Sequence, residues 1–119
     1  EISATLSGAK QINKNIIVVF QPHRYSRTKI LFNDFVNVLS KIKFLYLLDT
    51  YSAGEKIIKG YESKNIYFKL KKINKNVVYV GNQNLNKIIY NETINNKIIL
   101  FMGAGSISKI ASNFMKINE

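Results

Sequence analysis

The sequence has 119 residues, 46% of them hydrophobic, and a formal net charge of +11 at pH 7. This length suits a single domain, and the hydrophobic fraction is large enough for a buried core. There is no cysteine, which excludes disulfides and thiolate metal sites, and with a single histidine we expect no metal site. No apolar run is long enough to cross a bilayer, so we expect a cytoplasmic protein that does not contact a membrane.

The positive charge is spread along the whole chain. Among the lysines, only Lys71 and Lys72 are adjacent in sequence, and the chain is also rich in isoleucine and asparagine. A nucleic-acid-binding surface usually concentrates its basic residues on one patch or stripe. We therefore interpret most of the lysines as solvated surface, and we predict no nucleic-acid partner.

The hydrophobic pattern alternates between buried strands and amphipathic helices. Continuous apolar runs rich in β-branched residues predict strands at 16–20, 44–48, 77–80 and 97–102. Helical spacing of apolar residues predicts helices at 1–12, 26–42, 62–72, 83–91 and 106–117. This alternation predicts an α/β fold, in which an open, mainly parallel, Rossmann-like sheet carries helices on both faces.

The helices that follow the first, second and last strands each have a predicted inward face. For the helix at 26–42 this face is Leu31, Phe35, Val38, Leu39 and Ile42. For the helix at 62–72 it is Ile66, Leu70 and Ile73, and for the last helix it is Ile107, Ile110, Ala111 and Phe114. Ser26 or Thr28 is a candidate N-cap for the helix at 26–42.

Residues 21–28 follow the first predicted strand and contain the only proline, the only histidine and both arginines of the chain. All other positions among the 18 basic residues are lysine, so Arg24 and Arg27 indicate a need for guanidinium itself. Guanidinium presents a planar fork of donors that matches a carboxylate or a phosphate, which an ammonium group does not. His23 lies beside this positive charge, which disfavours its charged form and favours a neutral donor–acceptor role.

Two further loops follow predicted strands, and loops of this kind form the ligand-binding edge of a parallel sheet. Asp49 and Glu55 lie in the first loop, where a lone carboxylate is more often a helix cap or an arginine partner than a catalyst. The second loop contains Gly103, Gly105 and Ser106. Its amides suit an anion, but a plain tight turn explains the glycines equally well, and the match to a dinucleotide fingerprint is weak.

Four motifs stand in order along the chain. They are Gln-Pro-His-Arg-Tyr-Ser-Arg-Thr at 21–28, Leu-Phe-x-Asp-Phe at 31–35, Asp-x-Tyr-x-Ala-Gly-Glu at 49–55 and Gly-Ala-Gly-Ser at 103–106. Together they resemble the C-terminal domain of the UDP-N-acetylmuramate–L-alanine ligases, which belong to the Mur ligases of peptidoglycan synthesis. The resemblance covers essentially the whole chain, and the first motif is the most specific.

The resemblance implies a role in an enzyme of three domains. The first binds the UDP-sugar, the central one binds ATP and Mg²⁺, and the third holds the incoming amino acid. ATP phosphorylates the muramoyl carboxylate, and the amine of L-alanine then attacks the acyl phosphate. By position, His23, Arg24 and Arg27 are substrate-binding residues, and we add Tyr51 from the neighbouring loop.

We expect residues 1–119 to form one domain, with the N-terminal and central domains absent. L-Alanine, UDP-N-acetylmuramate and ATP are then partners of the full-length enzyme. The chain has no phosphate loop of the Gly-x-x-x-x-Gly-Lys-[Ser/Thr] type. We therefore expect no catalytic residue in this chain alone, no tightly bound cofactor and no activity of the isolated chain. The alternative is a stand-alone anion- or nucleotide-binding module without catalysis.

Overall fold

Eight elements alternate between strand and helix in the computed structural model, which describes residues 16–74, 76–94, 98–103 and 106–117. The strands are β1 (Ile16–Gln21), β2 (Phe44–Leu48), β3 (Val77–Gly81) and β4 (Ile98–Gly103). The helices are α1 (Tyr25–Leu39), α2 (Ser63–Lys71), α3 (Leu85–Ile94) and α4 (Ile107–Ile117). The helix predicted at 1–12 lies outside the described residues.

The four strands form one sheet in the order β3-β2-β1-β4, and every neighbouring pair is parallel. The chain first builds outward from β1 to β2 and β3, then crosses back to place β4 on the other side of β1. The order in which strands are added to the sheet therefore reverses between β1 and β4. Open α/β sheets usually bind ligands at such a point. The predicted α/β class and parallel sheet are confirmed.

Strand β1 is buried along its whole length because helices cover both faces of the sheet. Alternate residues of β1 enter two separate hydrophobic clusters, as expected for a pleated strand. On one face, Val18 packs with residues of α1 and α2, including Leu39, Ile66 and Leu70. On the other face, Val19 packs with residues of α3 and α4, including Ile89, Ile107 and Phe114.

Several predicted helix ends differ from the structure. The helix predicted at 83–91 is α3, which begins at Leu85 and ends at Ile94. Two further differences concern apolar residues that were assigned to the core. Helix α1 ends at Leu39 rather than at residue 42, but Ile42 remains buried because the following turn folds it under the same face. The prediction that Ile73 faces the core is wrong, because α2 ends at Lys71 and 65% of Ile73 is exposed in the turn beyond it. Apolar spacing alone does not locate the residue at which a helix stops.

Within the described ranges, no helix is both long and apolar enough to cross a membrane.

Candidate functional site

The segment after β1 is joined to the loop after β2 by backbone hydrogen bonds. The Tyr51 N–H donates to the Pro22 carbonyl oxygen at 2.9 Å, and the Arg24 N–H donates to the Tyr51 carbonyl oxygen at 2.8 Å. His23 and Tyr51 thus form an isolated parallel bridge beyond the ends of their strands. The structure therefore brings three of the predicted substrate-binding residues together, because it extends the β1–β2 pairing into both loops.

The rings of His23 and Tyr51 also lie against each other. Their centroids are 5.5 Å apart and their planes differ by 8°. Stacked pairs of this kind orient one ring against the other, which here fixes the direction of the imidazole. His23 is half-buried in this position.

Arg24 adopts a backbone conformation, with φ 67°, that residues other than glycine rarely adopt. It is the N-cap residue of α1, and its side chain makes no capping hydrogen bond. Its carbonyl oxygen accepts hydrogen bonds from the Thr28 N–H at 3.1 Å and from the Thr28 hydroxyl at 2.8 Å. A strained conformation persists only where surrounding contacts hold it, and such positions concentrate at functional sites.

The capping group of α1 comes from the neighbouring loop. One carboxylate oxygen of Glu55, Oε1, accepts the Ser26 N–H at 3.0 Å, and the other, Oε2, accepts the Ser26 hydroxyl at 2.5 Å. The prediction that Ser26 or Thr28 caps the helix is wrong, because both lie inside its first turn. The expectation that a carboxylate of this loop serves as a cap fits the position of Glu55.

The guanidinium groups of Arg24 and Arg27 are both exposed at the start of α1. Across the described ranges, Lys64 and Glu62 form an ion pair, and neither arginine takes part in one. Two exposed guanidinium groups, three residues apart, therefore place positive charge at the start of α1, on the same segment of the chain as His23. The arrangement suits an anionic group such as a carboxylate or phosphate.

Gln21 connects all three loops at this edge of the sheet, although the sequence analysis did not single out its side chain. Its Nε2 donates to the Asp49 carbonyl oxygen at 3.3 Å, and its Oε1 accepts the Ser106 hydroxyl at 2.9 Å. It is buried. This role could have been predicted from a glutamine at the end of a continuous apolar strand, because a buried amide side chain needs hydrogen-bond partners.

The predicted glycine loop follows β4 and is only partly described. Gly103 pairs with Gln21 across the β1–β4 ladder, and a Cβ at Gly103 would lie 2.6 Å from the Gln21 carbonyl oxygen. Ser106 precedes α4 and bonds to Gln21, while Gly105 lies outside the described residues. Close backbone approach accounts for Gly103, and an anion-binding role of Gly103, Gly105 and Ser106 stays a prediction.

A tyrosine–aspartate pair lies at the same end of β2 and β3. The hydroxyl of Tyr79 donates a short hydrogen bond to Oδ1 of Asp49. The pKa of Tyr79 is raised above its ordinary value, first because the phenol is partly buried. Asp49 raises it further, because it accepts a hydrogen bond from the phenol and adds negative charge. Asp49 therefore has a phenol as its partner and contacts neither arginine.

Two surface cavities flank this region. One, of about 500 Å³, lies between the sheet edge, α3 and α4, and Tyr51 is the only predicted substrate-binding residue among the described residues that line it. The other, of about 640 Å³, lies between α1 and α2 and contains none of the predicted residues. Neither Arg24 nor Arg27 lines either cavity.

No group of three or more His, Cys, Asp or Glu side chains that could hold a metal ion occurs in the part of the chain that the structure describes.

Comparison with curated proteins finds close relatives over nearly the whole chain. A UDP-N-acetylmuramate–L-alanine ligase of Prochlorococcus marinus is 44% identical over 108 residues, which are 88% of this chain and 22% of that protein. Proteins of the same name from Lachnospira eligens and Legionella pneumophila are 40% and 39% identical over 118 residues, or 98% of this chain.

The chain spans about a quarter of the length of these relatives, with 26% of the Lachnospira protein and 25% of the Legionella protein covered. A scan against family models finds no match. Matches of this extent are consistent with a C-terminal domain, as the four sequence motifs indicated. The chain is therefore homologous to a segment that makes up about a quarter of the UDP-N-acetylmuramate–L-alanine ligases of these organisms.

Proposed function

We propose that this chain is the amino-acid-binding C-terminal domain of an ATP-dependent, ADP-forming ligase that joins L-alanine to UDP-N-acetylmuramate. The step belongs to peptidoglycan synthesis in the cytoplasm, and ATP, Mg²⁺ and the UDP-sugar bind through domains outside residues 1–119. The observation that carries the proposal is that Arg24 and Arg27 are exposed at the start of α1, without an ion-pair partner among the described residues, on the segment that carries the stacked imidazole of His23. The names of the relatives support the choice of substrates.

The residues of this chain hold and orient the amino acid. The guanidinium group of an arginine binds the carboxylate of L-alanine by donating paired N–H hydrogen bonds to its oxygens. The amine must be neutral to attack an acyl group, and a neutral imidazole at His23 accepts a hydrogen bond from it. Holding the two reacting groups in the correct orientation accounts for much of the rate that such an enzyme gains. We assign this positioning role to His23, Arg24 and Arg27, with Tyr51 holding the imidazole.

The proposal is tested by replacing the arginines in a complete ligase that carries this chain as its C-terminal segment. We expect Arg24→Ala and Arg27→Ala to raise the KM for L-alanine by at least about tenfold, because each leaves a carboxylate without its partner. Lys29→Ala is the matched control, since Lys29 is an exposed cation on the same helix that lines the other cavity.

If the arginine variants raised the KM for ATP as much as the KM for L-alanine, the amino-acid role would be contradicted. That result would favour the alternative of an anion- or nucleotide-binding module. The chain alone is expected to show neither ATP hydrolysis nor ligation. Turnover of ATP by the purified chain that Arg24→Ala abolishes would overturn this part of the proposal.

A further inference from the structure

We propose that Glu55 is a positioning residue for the amino-acid site, and that Ser26 keeps its carboxylate from pairing with the site arginines. Glu55 caps helix α1 through Ser26, and Ser26 in turn occupies both oxygens of the carboxylate. Arg24 and Arg27 thereby stay free for the carboxylate of a substrate. This inference rests on the proposed function and adds to it a pair of residues that do not touch the substrate.

Helix α1 depends on Glu55 for its cap. The side chain of its N-cap residue, Arg24, makes no capping bond, and its first turn contains no acidic residue. A carboxylate at a helix N-terminus satisfies free amide groups and interacts favourably with the helix dipole. The pKa of Glu55 is lowered mainly because the Ser26 hydroxyl and N–H donate to it, so the group is ionised at neutral pH.

A tight turn directs Glu55 toward the helix. Ala53 and Gly54 both have positive φ, at 51° and 86°, and the Glu55 N–H donates to the Ser52 carbonyl oxygen at 3.0 Å. The same loop holds Arg24 through the carbonyl oxygen of Tyr51. One loop therefore positions the backbone of Arg24 with its first residues and the start of α1 with its last residue.

The carboxylate of Glu55 could also compete with the carboxylate of the substrate for the site arginines. The Glu55 carboxylate bonds to Ser26, which stands between Arg24 and Arg27 in the chain, and the positive charge of Arg24 contributes to the lowered pKa of Glu55. Yet no ion pair forms between Glu55 and either arginine. The carboxylate faces Ser26 instead, with one oxygen on its N–H and the other on its hydroxyl. Loss of the hydroxyl frees one oxygen, which then competes with a substrate carboxylate for the guanidinium groups.

The test is a cycle of single and double substitutions in a complete ligase that carries this chain. Ser26→Ala should raise the KM for L-alanine by up to about fivefold, the upper end of the range expected for an exposed ion pair that must be broken. Glu55→Gln should raise it less, because the amide oxygen still accepts the Ser26 N–H and an uncharged amide does not pair with guanidinium. The double variant Ser26→Ala/Glu55→Gln should return to the value of Glu55→Gln alone.

This recovery separates competition from a purely structural role. If Ser26 and Glu55 only stabilised the helix, the double variant would be at least as impaired as Ser26→Ala, and the inference would be overturned. A lower fraction of folded enzyme changes kcat but not KM, so misfolding does not imitate the result. Ser40→Ala removes a hydroxyl from the far end of α1, where it bonds only to Asn37, and serves as the control.

A second pair of variants leaves Ser26 intact. Glu55→Asp keeps the charge but shortens the side chain, so it should raise the KM for L-alanine more than Glu55→Gln does. The opposite order would refute the inference even if Ser26→Ala failed to fold. Failure of the proposed function gives a different result, because Arg24→Ala would then leave the KM for L-alanine unchanged. A high KM in Arg24→Ala without recovery in the double variant would reject the Glu55 inference alone.

Discussion

Tyr51 is bound to His23 through its ring and to the residues on either side of His23 through its backbone. Its N–H and carbonyl oxygen bond to Pro22 and Arg24, at 2.9 and 2.8 Å, while its ring lies 5.5 Å from the imidazole. The backbone bonds do not depend on the side chain at position 51, whereas the stack does. Substitutions at this position therefore separate the orientation of the imidazole from the pairing of the two loops.

We expect Tyr51→Phe to preserve the stack and Tyr51→Ala to remove it. Tyr51→Ala should destabilise the chain by about 0.5–1 kcal/mol, at the low end for an aromatic pair because 37% of Tyr51 is exposed. The imidazole resonances in a proton NMR spectrum report the stack directly, since the chain has one histidine. They should keep their shifts in Tyr51→Phe and move in Tyr51→Ala. Unchanged shifts in Tyr51→Ala would show that the rings are not stacked in solution.

Gly103→Ala should destabilise the fold more than a substitution at any other described glycine. Gly103 has φ 147°, and an added Cβ would lie 2.6 Å from the Gln21 carbonyl oxygen, a backbone atom that cannot move aside. We expect a loss of at least about 2–3 kcal/mol in the free energy of unfolding, from strain and the clash together. Urea unfolding of the chain measures it.

Gly54→Ala is the control for backbone strain alone. Gly54 also has positive φ, at 86°, but nothing lies within 4 Å of a Cβ placed there. Its loss should be about 1 kcal/mol. Equal losses in the two variants would mean that the approach of Gly103 to Gln21 is not tight in solution.

The strands could be predicted from the sequence because each is short and apolar, and β1 and β2 are also buried along almost their whole length. β2 matches its predicted range, and β1 and β3 are one residue longer than predicted. The end of α1 could not be predicted, because Ile42 continues the helical spacing while its backbone already lies in a turn. Ile73 shows the same limit in α2, where an apolar residue at the correct spacing is exposed.

The members of the site could be predicted more readily than their contacts. Arginines among lysines mark Arg24 and Arg27 in the sequence alone, and parallel pairing explains why Tyr51 lies beside His23. The cap of α1 could not be predicted, because Glu55 is 29 residues away from Ser26 in the sequence. Local capping rules consider neighbouring residues only, whereas this carboxylate reaches the helix through a tertiary contact.

Tyr79 should make the stability of the chain depend on pH under alkaline conditions. Its pKa in the folded state lies above the ordinary value of 10.0, so the folded state keeps a proton that the unfolded state loses. The resulting stability is fully present below pH 10.0 and falls as the pH rises through the folded-state pKa. Urea unfolding at a series of alkaline pH values should show a steeper loss in the wild type than in Tyr79→Phe.

The partner of Tyr79 is tested by removing one charge. Asp49→Asn should lower the pKa of Tyr79 only partly, because burial, the largest single cause of the shift, remains. Asp34→Asn removes the same charge from an exposed position on α1 and should leave the alkaline slope unchanged. Identical slopes in the wild type and Tyr79→Phe would show that the phenol ionises normally in the folded chain.

The strongest test of the proposed site is to replace each arginine by lysine, which keeps the charge and removes the fork. Arg24 and Arg27 are the only arginines among 18 basic residues, and neither forms an ion pair with another described residue that would explain the choice. If charge alone mattered, lysine would serve. If the fork binds a carboxylate, Arg24→Lys and Arg27→Lys should each lower kcat/KM for L-alanine at least about tenfold, or about 1.4 kcal/mol.

Varying L-alanine and ATP separately gives this test its specificity. The KM for ATP should change much less than that for L-alanine, because the nucleotide binds outside this chain in the proposed enzyme. The free energy of unfolding should hardly change, since exposed cations without partners contribute little to folding. Lys29→Arg, the reverse exchange on the same helix, controls for altered surface hydration and should leave both constants unchanged. Wild-type kinetics in both lysine variants would show that position 24 and position 27 need only a positive charge, which removes the physical reason for assigning them to a carboxylate.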